Sequence, residues 1–418
     1  MSSNEVKVSI IVPVFNSEKH LASALGSVLG QTLKEIEVIC VNDGSSDHSA
    51  EILANAAAQD SRLKVVTHPS NRGTLAARNT GIANVRGKYI LFLDPDDTLQ
   101  PETAEEVLLV AESKDADIVC FGANEYILKQ DGSREQVSNL PDPAAMEIRG
   151  PGLVLKNLLV ERGHLWCLCM KMIRADLCKK AAEIAGNQYC VMAEDFLLYT
   201  GIAYYAQSLI SLDKKYYNYY ISEGITAESK VSLSRFTGIT SELNALTKIE
   251  QLLKEKHLFE QSEYRDAFAS IERIQMRRLW FRWYAIETEP DKIAAIKIML
   301  EKTPYPERLI YAIPPLSNLD PNLLKQVHPL IHDPFIPSAL QIILNAALLD
   351  LDAEKLQTEK LQAENTLLKQ SLSRADIEVE NLKIENILLQ QSFSYRAGKM
   401  ITALPRFLYS QLARFKKK

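Results

Sequence analysis

Glycine-rich loops are missing from this chain of 418 residues: neither G-x-G-x-x-G nor G-x-S-x-G occurs, so dinucleotide-binding and hydrolase readings lose their main support. The run from Gly81 to Lys88 resembles a phosphate loop, but five residues separate Gly81 from Gly87, and Tyr89 stands where Ser or Thr must hold magnesium. The six cysteines lack paired C-x-x-C spacing and the density of a secreted scaffold, so buried reduced thiols in a cytosolic protein are expected. Long apolar runs are also absent. The longest uncharged stretch, Phe196 to Leu212, is short for a membrane span and carries Gln207, Ser208, Ser211 and three tyrosines, so it reads as a buried helix leading into a strand. The start, Met1 to Lys7, is polar and lacks the pattern of a secretory signal, so secretion by that route is not expected. A net charge of 48 − 53 = −5 argues against binding along a phosphate backbone, and nucleic acid is not an expected partner.

What is present is an alternation. From Val6 to about Tyr126, short apolar runs at Val8–Val12, Glu37–Val41, Leu63–Thr67, Tyr89–Leu93 and Ile118–Phe121 alternate with helical patterns. The helical patterns lie near Glu18–Leu29, His48–Ala58, Leu75–Asn84 and Glu102–Glu112, with Ser17, Asp47 and Pro101 as start signals. Such alternation predicts βαβ units and a mostly parallel sheet. Residues 129–152, with Asp131-Gly132-Ser133 and five Pro or Gly residues beyond, predict a loop that could sit over a site. A mixed segment then runs to about Thr226, and Val231 to Lys302 is helix-dominated, with Leu243, Leu246 and Leu253 at helical spacing.

Eight of the 17 prolines fall between Pro304 and Pro337, marking a connector. Beyond it, Leu361, Leu368, Ala375, Leu382 and Leu389 recur every seven residues, as do Asn365, Leu372, Val379, Asn386 and Phe393. Eight of these ten positions are apolar, which predicts a coiled coil and a homo-oligomer; a single amphipathic helix folded onto its own chain is the alternative. The segment 394–418 has seven bases and no acid, a composition suited to an anionic membrane surface, to a neighbouring acidic subunit or to plain solvation. The expected division is therefore 1–228 for the α/β domain, 229–303 for a helical domain, 304–337 for the connector, 338–393 for the coiled coil and 394–418 for a basic amphipathic tail.

Acids fall where a parallel sheet would place a site. Asp43 follows the second strand, and Asp94, Asp96 and Asp97 follow the fourth, so both clusters belong to the carboxyl edge where open α/β sheets bind ligands. Three carboxylates within four residues repel one another unless solvent or a cation intervenes. A hard divalent cation, Mn2+ or Mg2+, would hold oxygen ligands here and keep positions for phosphate oxygens; a solvated turn helped by Pro95 is the other reading.

At this point the residues resemble a known family. Ser9-Ile10-Ile11-Val12-Pro13-Val14-Phe15-Asn16, Val41-Asn42-Asp43-Gly44-Ser45-Ser46-Asp47, Asn71-Arg72-Gly73 with Ala77-Arg78-Asn79-Thr80-Gly81, and Phe92-Leu93-Asp94-Pro95-Asp96-Asp97 look like the ordered signatures of family 2 glycosyltransferases. The resemblance covers about Val6 to Ile225 and implies a GT-A fold, a Rossmann-like α/β domain, with a nucleotide-sugar donor and inversion at the transferred sugar. By the same resemblance, Asp43 reads the nucleobase with Pro13 and Phe15 beside it, Asp96 lies near ribose and metal, and Asp97 sits on the metal. Pro95 replaces the family's commoner Ser. Arg78 and Arg72 could face the diphosphate or serve as structural partners.

The pair Glu194-Asp195 resembles the family's late acidic pair, whose Asp is the usual base; helix capping by the same two acids is the alternative. Trp166, Lys171 and Arg174 resemble a stretch that precedes that pair, at a longer Trp-to-Lys spacing than usual. The implied function is transfer of a sugar, from a UDP-sugar as the expected donor, to a glycan or glycoconjugate hydroxyl. A bacterial surface glycan is the family-level acceptor, and the cytoplasm or the inner face of the membrane is the expected place. A nucleotidyltransferase, or a catalytically silent scaffold of the same fold, are the alternatives.

Overall fold

The computed structural model describes residues 5–128, 133–137, 144–221, 231–305, 308–309 and 312. Almost all of the expected connector, the coiled coil at 338–393 and the basic tail at 394–418 lie outside the described residues.

The first compact unit holds the residues up to 229 together with 248–264. Here β1 (Val8–Val14), α1 (Leu21–Leu29), β2 (Ile36–Asn42), α2 (Ser49–Gln59), β3 (Leu63–Thr67), α3 (Thr74–Ala83) and β4 (Tyr89–Phe92) alternate as the apolar runs predict. They are followed by β5 (Thr98–Leu99), α4 (Thr103–Ser113), β6 (Ile118–Leu128), β7 (Arg134–Val137), β8 (Met146–Arg149) and α5 (Leu153–Lys156). Last come β9 (Lys171–Arg174), α6 (Ala175–Ala185), α7 (Glu194–Tyr205) and β10 (Ser208–Tyr220), so Phe196–Leu212 is the helix and strand expected of it.

The strands form one sheet in the order β3-β2-β1-β4-β9-β6-β10-β5, with β7 beside β6 and β8 beside β10. β3, β2, β1 and β4 are parallel; β9 runs antiparallel between β4 and β6, which returns β6 and β10 to the common direction. This is the mostly parallel α/β architecture expected. Every residue of β1 and β2 is buried, as strands covered on both faces must be. Pro13 is tolerated in β1 because the ladder with β4 stops at Ile11 and Phe92, leaving β2 as its one paired neighbour.

α3 lies on β1 and β2, α6 on β4 and β9, and α3, α6 and α7 pack on one another. The α3 contact is close: a Cβ on Gly81 would stand 2.5 Å from Ile11 Cγ2. That approach brings the middle of α3 under the sheet's carboxyl edge.

Three local expectations change. α1 begins at Leu21, later than Glu18, because Ser17 spends its side chain on the Phe15 carbonyl and its amide on Ser49 Oγ, so it caps nothing. Segment 129–152 is more than a loop, since it contains β7 and β8. β8 pairs with the amino end of β10, Arg149 opposite Ser208, and so lies at the edge away from the carboxyl ends.

Among the described residues, the second unit comprises 231–247 and those from 265 to 312. The chain's later helices are α8 (Leu233–Ile239), α9 (Glu242–Glu255), α10 (Ser262–Tyr284) and α11 (Glu289–Lys302). Leu243, Leu246 and Leu253 are all buried on α9. Within the second unit, Trp280 Nε1 donates to the Leu309 carbonyl at 2.9 Å and Trp283 Nε1 to the Lys292 carbonyl at 2.8 Å, so both large rings bury without an unmet N–H.

At the amino edge of the sheet, Glu37 is fully buried and accepts from Ser9 Oγ (2.7 Å), the Arg86 amide (2.6 Å), Arg86 Nε (2.9 Å) and Lys64 Nζ (3.0 Å). Burial alone would raise its carboxyl, but these donors outweigh it and hold the group at about 2. A depressed carboxyl contributes stability that is full above its ordinary value and is lost as pH falls toward about 2. Glu37→Gln is therefore expected to lower stability at neutral pH by about 2 kcal/mol, as loss of charged hydrogen bonds does, and to flatten the acid limb below pH 4.5. Urea melts across pH check both; identical acid limbs would contradict the assignment.

Candidate active site

The carboxyl edge gathers acids from three places in the sequence. Asp43 leaves β2, Asp94, Asp96 and Asp97 leave β4, and Glu194 with Asp195 opens α7. Each acid has a different physical situation.

Asp43 is 3% exposed and accepts from His68 Nδ1 (2.6 Å), from the Arg72 amide (2.9 and 3.1 Å) and from the Gly73 amide (2.8 Å). It therefore fixes the turn into α3. Gly73 has φ +88°, and a Cβ there would lie 3.0 Å from the Cys190 backbone, so only glycine fits between this turn and the segment before α7. Beside Asp43, Pro13 is buried and Phe15 is 45% exposed. Arg72 offers its amide to Asp43, while its side chain is exposed. His68 was not anticipated from the sequence; it links Asp43 to Thr80 Oγ1, 2.9 Å from its Nε2.

After β4 the chain turns tightly, the Asp97 amide donating to the Asp94 carbonyl at 3.1 Å. One carboxylate oxygen from each of Asp94, Asp96 and Asp97 lies within 4.8 Å of the others. Asp97 is wholly buried, however, and its two oxygens accept from Tyr217 Oη (2.7 Å) and the Tyr220 amide (2.9 Å) of β10. The β10 ladder shifts register between Ser211 and Tyr217, which lets the strand's second half meet this turn. Asp94 and Asp96 are half-buried.

Arg78 does not face an open diphosphate subsite. It is 4% exposed, and its guanidinium donates to Glu194 Oε1 at 2.6 Å and to Asp94 Oδ1 at 3.0 Å. Burial would make it less basic, but Glu194 and then Asp94 reverse that and keep it charged. Burial pushes the Glu194 carboxyl up, to about 7, against the pull of Arg78. The Asp195 carboxyl is likewise raised by burial, opposed first by Arg78.

α7 starts after Ala193, whose φ of 61° is left-handed and costs about 1 kcal/mol in a residue with a Cβ. Such strain at an acidic pair is typical of residues held for a task. Neither acid occupies the cap position itself. Asp195 Oδ1 accepts the Phe196 amide at 2.7 Å, and among the described residues its second oxygen takes no hydrogen bond. The Trp166 ring packs on Phe196, centroids 4.8 Å apart. Lys171 is buried behind α7, donating to the Cys167 carbonyl at 2.5 Å and lying 4.5 Å from the Tyr199 ring centre. Arg174 is not at this edge; it pairs with Asp117 and Asp176 at the opposite one. A cavity of about 470 Å³ lies there too, lined by Asp117, Arg174, Lys180 and Ser208 among others, but Arg174 and Asp117 are already paired with each other.

Residues 9–180 match the sequence profile described as Glycosyl transferase family 2. The chain carries a family 2 glycosyltransferase domain. Among curated relatives, a cholesterol galactosyltransferase of Borreliella burgdorferi is 28% identical over 269 residues, 62% of this chain and 71% of that one. The putative glycosyltransferase EpsH of Bacillus subtilis is 40% identical over 119 residues, 28% of this chain and 34% of its own. Glycosyltransferase GlyA of Streptococcus pneumoniae is 30% identical over 222 residues, 52% of this chain and 31% of its own. The match thus spans about a third of EpsH and of GlyA. The crystal structure of S. aureus TarS 1-349 overlaps 77% of this chain and 87% of its own, with 22% identity and a TM-score of 0.43.

Within this family 2 domain the Arg78 bridge ties the turn after β4 to the start of α7. Arg78→Met would leave Glu194 buried and Asp94 half-buried without their cation, and breaking a buried ion pair typically costs about 3 to 5 kcal/mol. The expected result is a urea midpoint lowered to that extent, with Arg78→Lys retaining part of it. A loss under about 1 kcal/mol would show that the bridge holds nothing.

Proposed function

We propose that this chain transfers a sugar from a UDP-sugar to a hydroxyl of a glycan or glycoconjugate, with inversion at the anomeric carbon. The observation that carries the reading is the convergence of Asp43, the Asp94-Pro95-Asp96-Asp97 turn and Glu194-Asp195 on the carboxyl edge of one sheet. The family 2 match over 9–180 supports it.

In this reading Asp43, Pro13 and Phe15 form the nucleobase end of the cleft. Asp96 would hold a divalent cation, Mn2+ or Mg2+, with Asp94 beside it. Asp97, wholly buried and bonded to β10, fixes the turn that presents them. When bound, the cation would offset diphosphate charge and stabilise the leaving nucleotide. Glu194, held by Arg78, orients the first turn of α7. Asp195 accepts the proton of the acceptor hydroxyl while that oxygen attacks the anomeric carbon; the bond from that carbon to the diphosphate breaks, and UDP leaves with the electron pair.

Among the described residues no helix is long and apolar enough to cross a membrane. The full-length protein is therefore tested directly, by incubating it with a panel of UDP-sugars and following UDP release, water serving as acceptor. Release is expected to require Mn2+ or Mg2+ and to vanish in Asp96→Asn. Asp195→Asn should retain UDP binding yet lower turnover about 10²- to 10⁴-fold, the usual share of a positioned base. Because burial raises the Asp195 carboxyl, activity should fall on acidification before an ordinary aspartate would protonate. Absence of both UDP binding and UDP release with every donor would overturn the reading.

A further inference from the structure

Four large apolar side chains are exposed among the described residues, and two of them, Phe15 and Tyr189, each 45% exposed, stand on backbone segments tied to the same residue, Asp43. Phe15 directly follows Val14, whose carbonyl accepts the Asp43 amide at 2.8 Å. On the other side, the Asp43 carboxylate accepts the Gly73 amide at 2.8 Å, and Gly73 abuts the backbone of Cys190, the neighbour of Tyr189. The backbones that bear two rings far apart in sequence are thus brought to one buried acid.

The segment bearing Tyr189 is anchored on both sides. Asn79 Nδ2 donates to the Gly186 carbonyl at 2.6 Å, and the Leu75 amide donates to the Cys190 carbonyl at 3.0 Å. Both anchors come from α3, whose own start is set by Asp43 through Gly73. A ring on a backbone so fixed loses little freedom when a ligand covers it. Partial burial, and then the nearby Asp43, push the Tyr189 phenol above its ordinary value, so it stays neutral at physiological pH.

We propose that Tyr189 is the second wall of the nucleobase pocket, covering the face of the base opposite Phe15. The proposal rests on the UDP-sugar reading. A planar base has two apolar faces; Asp43, buried and bonded to the start of α3, holds the backbone at this end of the cleft, Phe15 covers one face, and Tyr189 closes the other. Stacking of this kind is worth roughly 1–3 kcal/mol per base, several-fold to a hundredfold in affinity. It depends on the ring and not on the hydroxyl.

Calorimetric titration of the full-length protein with UDP and Mn2+, and with inorganic diphosphate and Mn2+, tests this. Tyr189→Ala is expected to weaken UDP binding about tenfold and leave diphosphate unchanged, while Tyr189→Phe and Tyr189→Trp stay within about twofold of the parent. UDP affinity in Tyr189→Ala within twofold of the parent would overturn the proposal and leave the UDP-sugar reading standing. An equal loss for UDP and diphosphate would also overturn it, because the residue would then act on the loop. If the parent protein binds no nucleoside diphosphate, the UDP-sugar reading falls first and takes this one with it.

Discussion

A single buried cation organises the site. Arg78 rises from the middle of α3 and meets one carboxylate from the end of β4 and another from the start of α7, at 3.0 and 2.6 Å. Any one of these charges alone would be costly to bury, and in a medium of low dielectric the cost is offset only when partners are close and well aligned. The geometry of the turn after β4 and of the first turn of α7 are consequently not independent. A shift of either would strand a charge, so the two acidic segments hold each other's placement. Gly81 permits this arrangement, because α3 must lie close on β1 for Arg78 to reach under the edge.

The remaining acids divide labour by their surroundings. Asp97 is committed to β10 through Tyr217 and the Tyr220 amide, and Asp43 to the start of α3 through the Arg72 and Gly73 amides. Both carboxylates serve as fixed acceptors of backbone, phenolic or imidazole donors, an arrangement that compensates a buried negative charge. The turn after β4 is therefore clamped twice, by Arg78 at Asp94 and by β10 at Asp97, with Asp96 presented between the two clamps. Chain entropy that a bound diphosphate would otherwise have to remove is removed by folding.

The sheet was legible because its central strands are buried on both faces and so read as near-continuous apolar runs. Four expected strands and four expected helices of the first 113 residues appear with boundaries moved by a few residues. β8 and β9 were not legible. Met146–Arg149 and Lys171–Arg174 are four residues each and carry charges, so neither shows a pattern on its own, and their place depends on partners distant in sequence. The same reason limits the site. Acids after strands could be located from the strands, but that Arg78 would turn to Glu194, 116 residues away, is a fact of tertiary packing with no periodic signal. His68 gave no sign either, since a lone histidine after a strand is uninformative until its acid neighbour is known.

The adjacent acids of α7 show how one environment can give two neighbours different chemistry. Both lie in the first turn, where the helix amides favour negative charge, and both are buried, which disfavours it. Arg78 reaches only one of them directly, through Glu194 Oε1. Among the described residues, Asp195 instead receives a single amide, from Phe196, and one of its oxygens takes no hydrogen bond. Two like charges on consecutive residues in such a place also push each other's proton affinity upward, so the pair resists full ionisation unless one member is neutralised by a cation. Arg78 supplies that cation to Glu194, and the left-handed turn at Ala193 sets which carboxylate meets it. The member left with the weaker set of donors, its carboxyl also raised by burial, is Asp195.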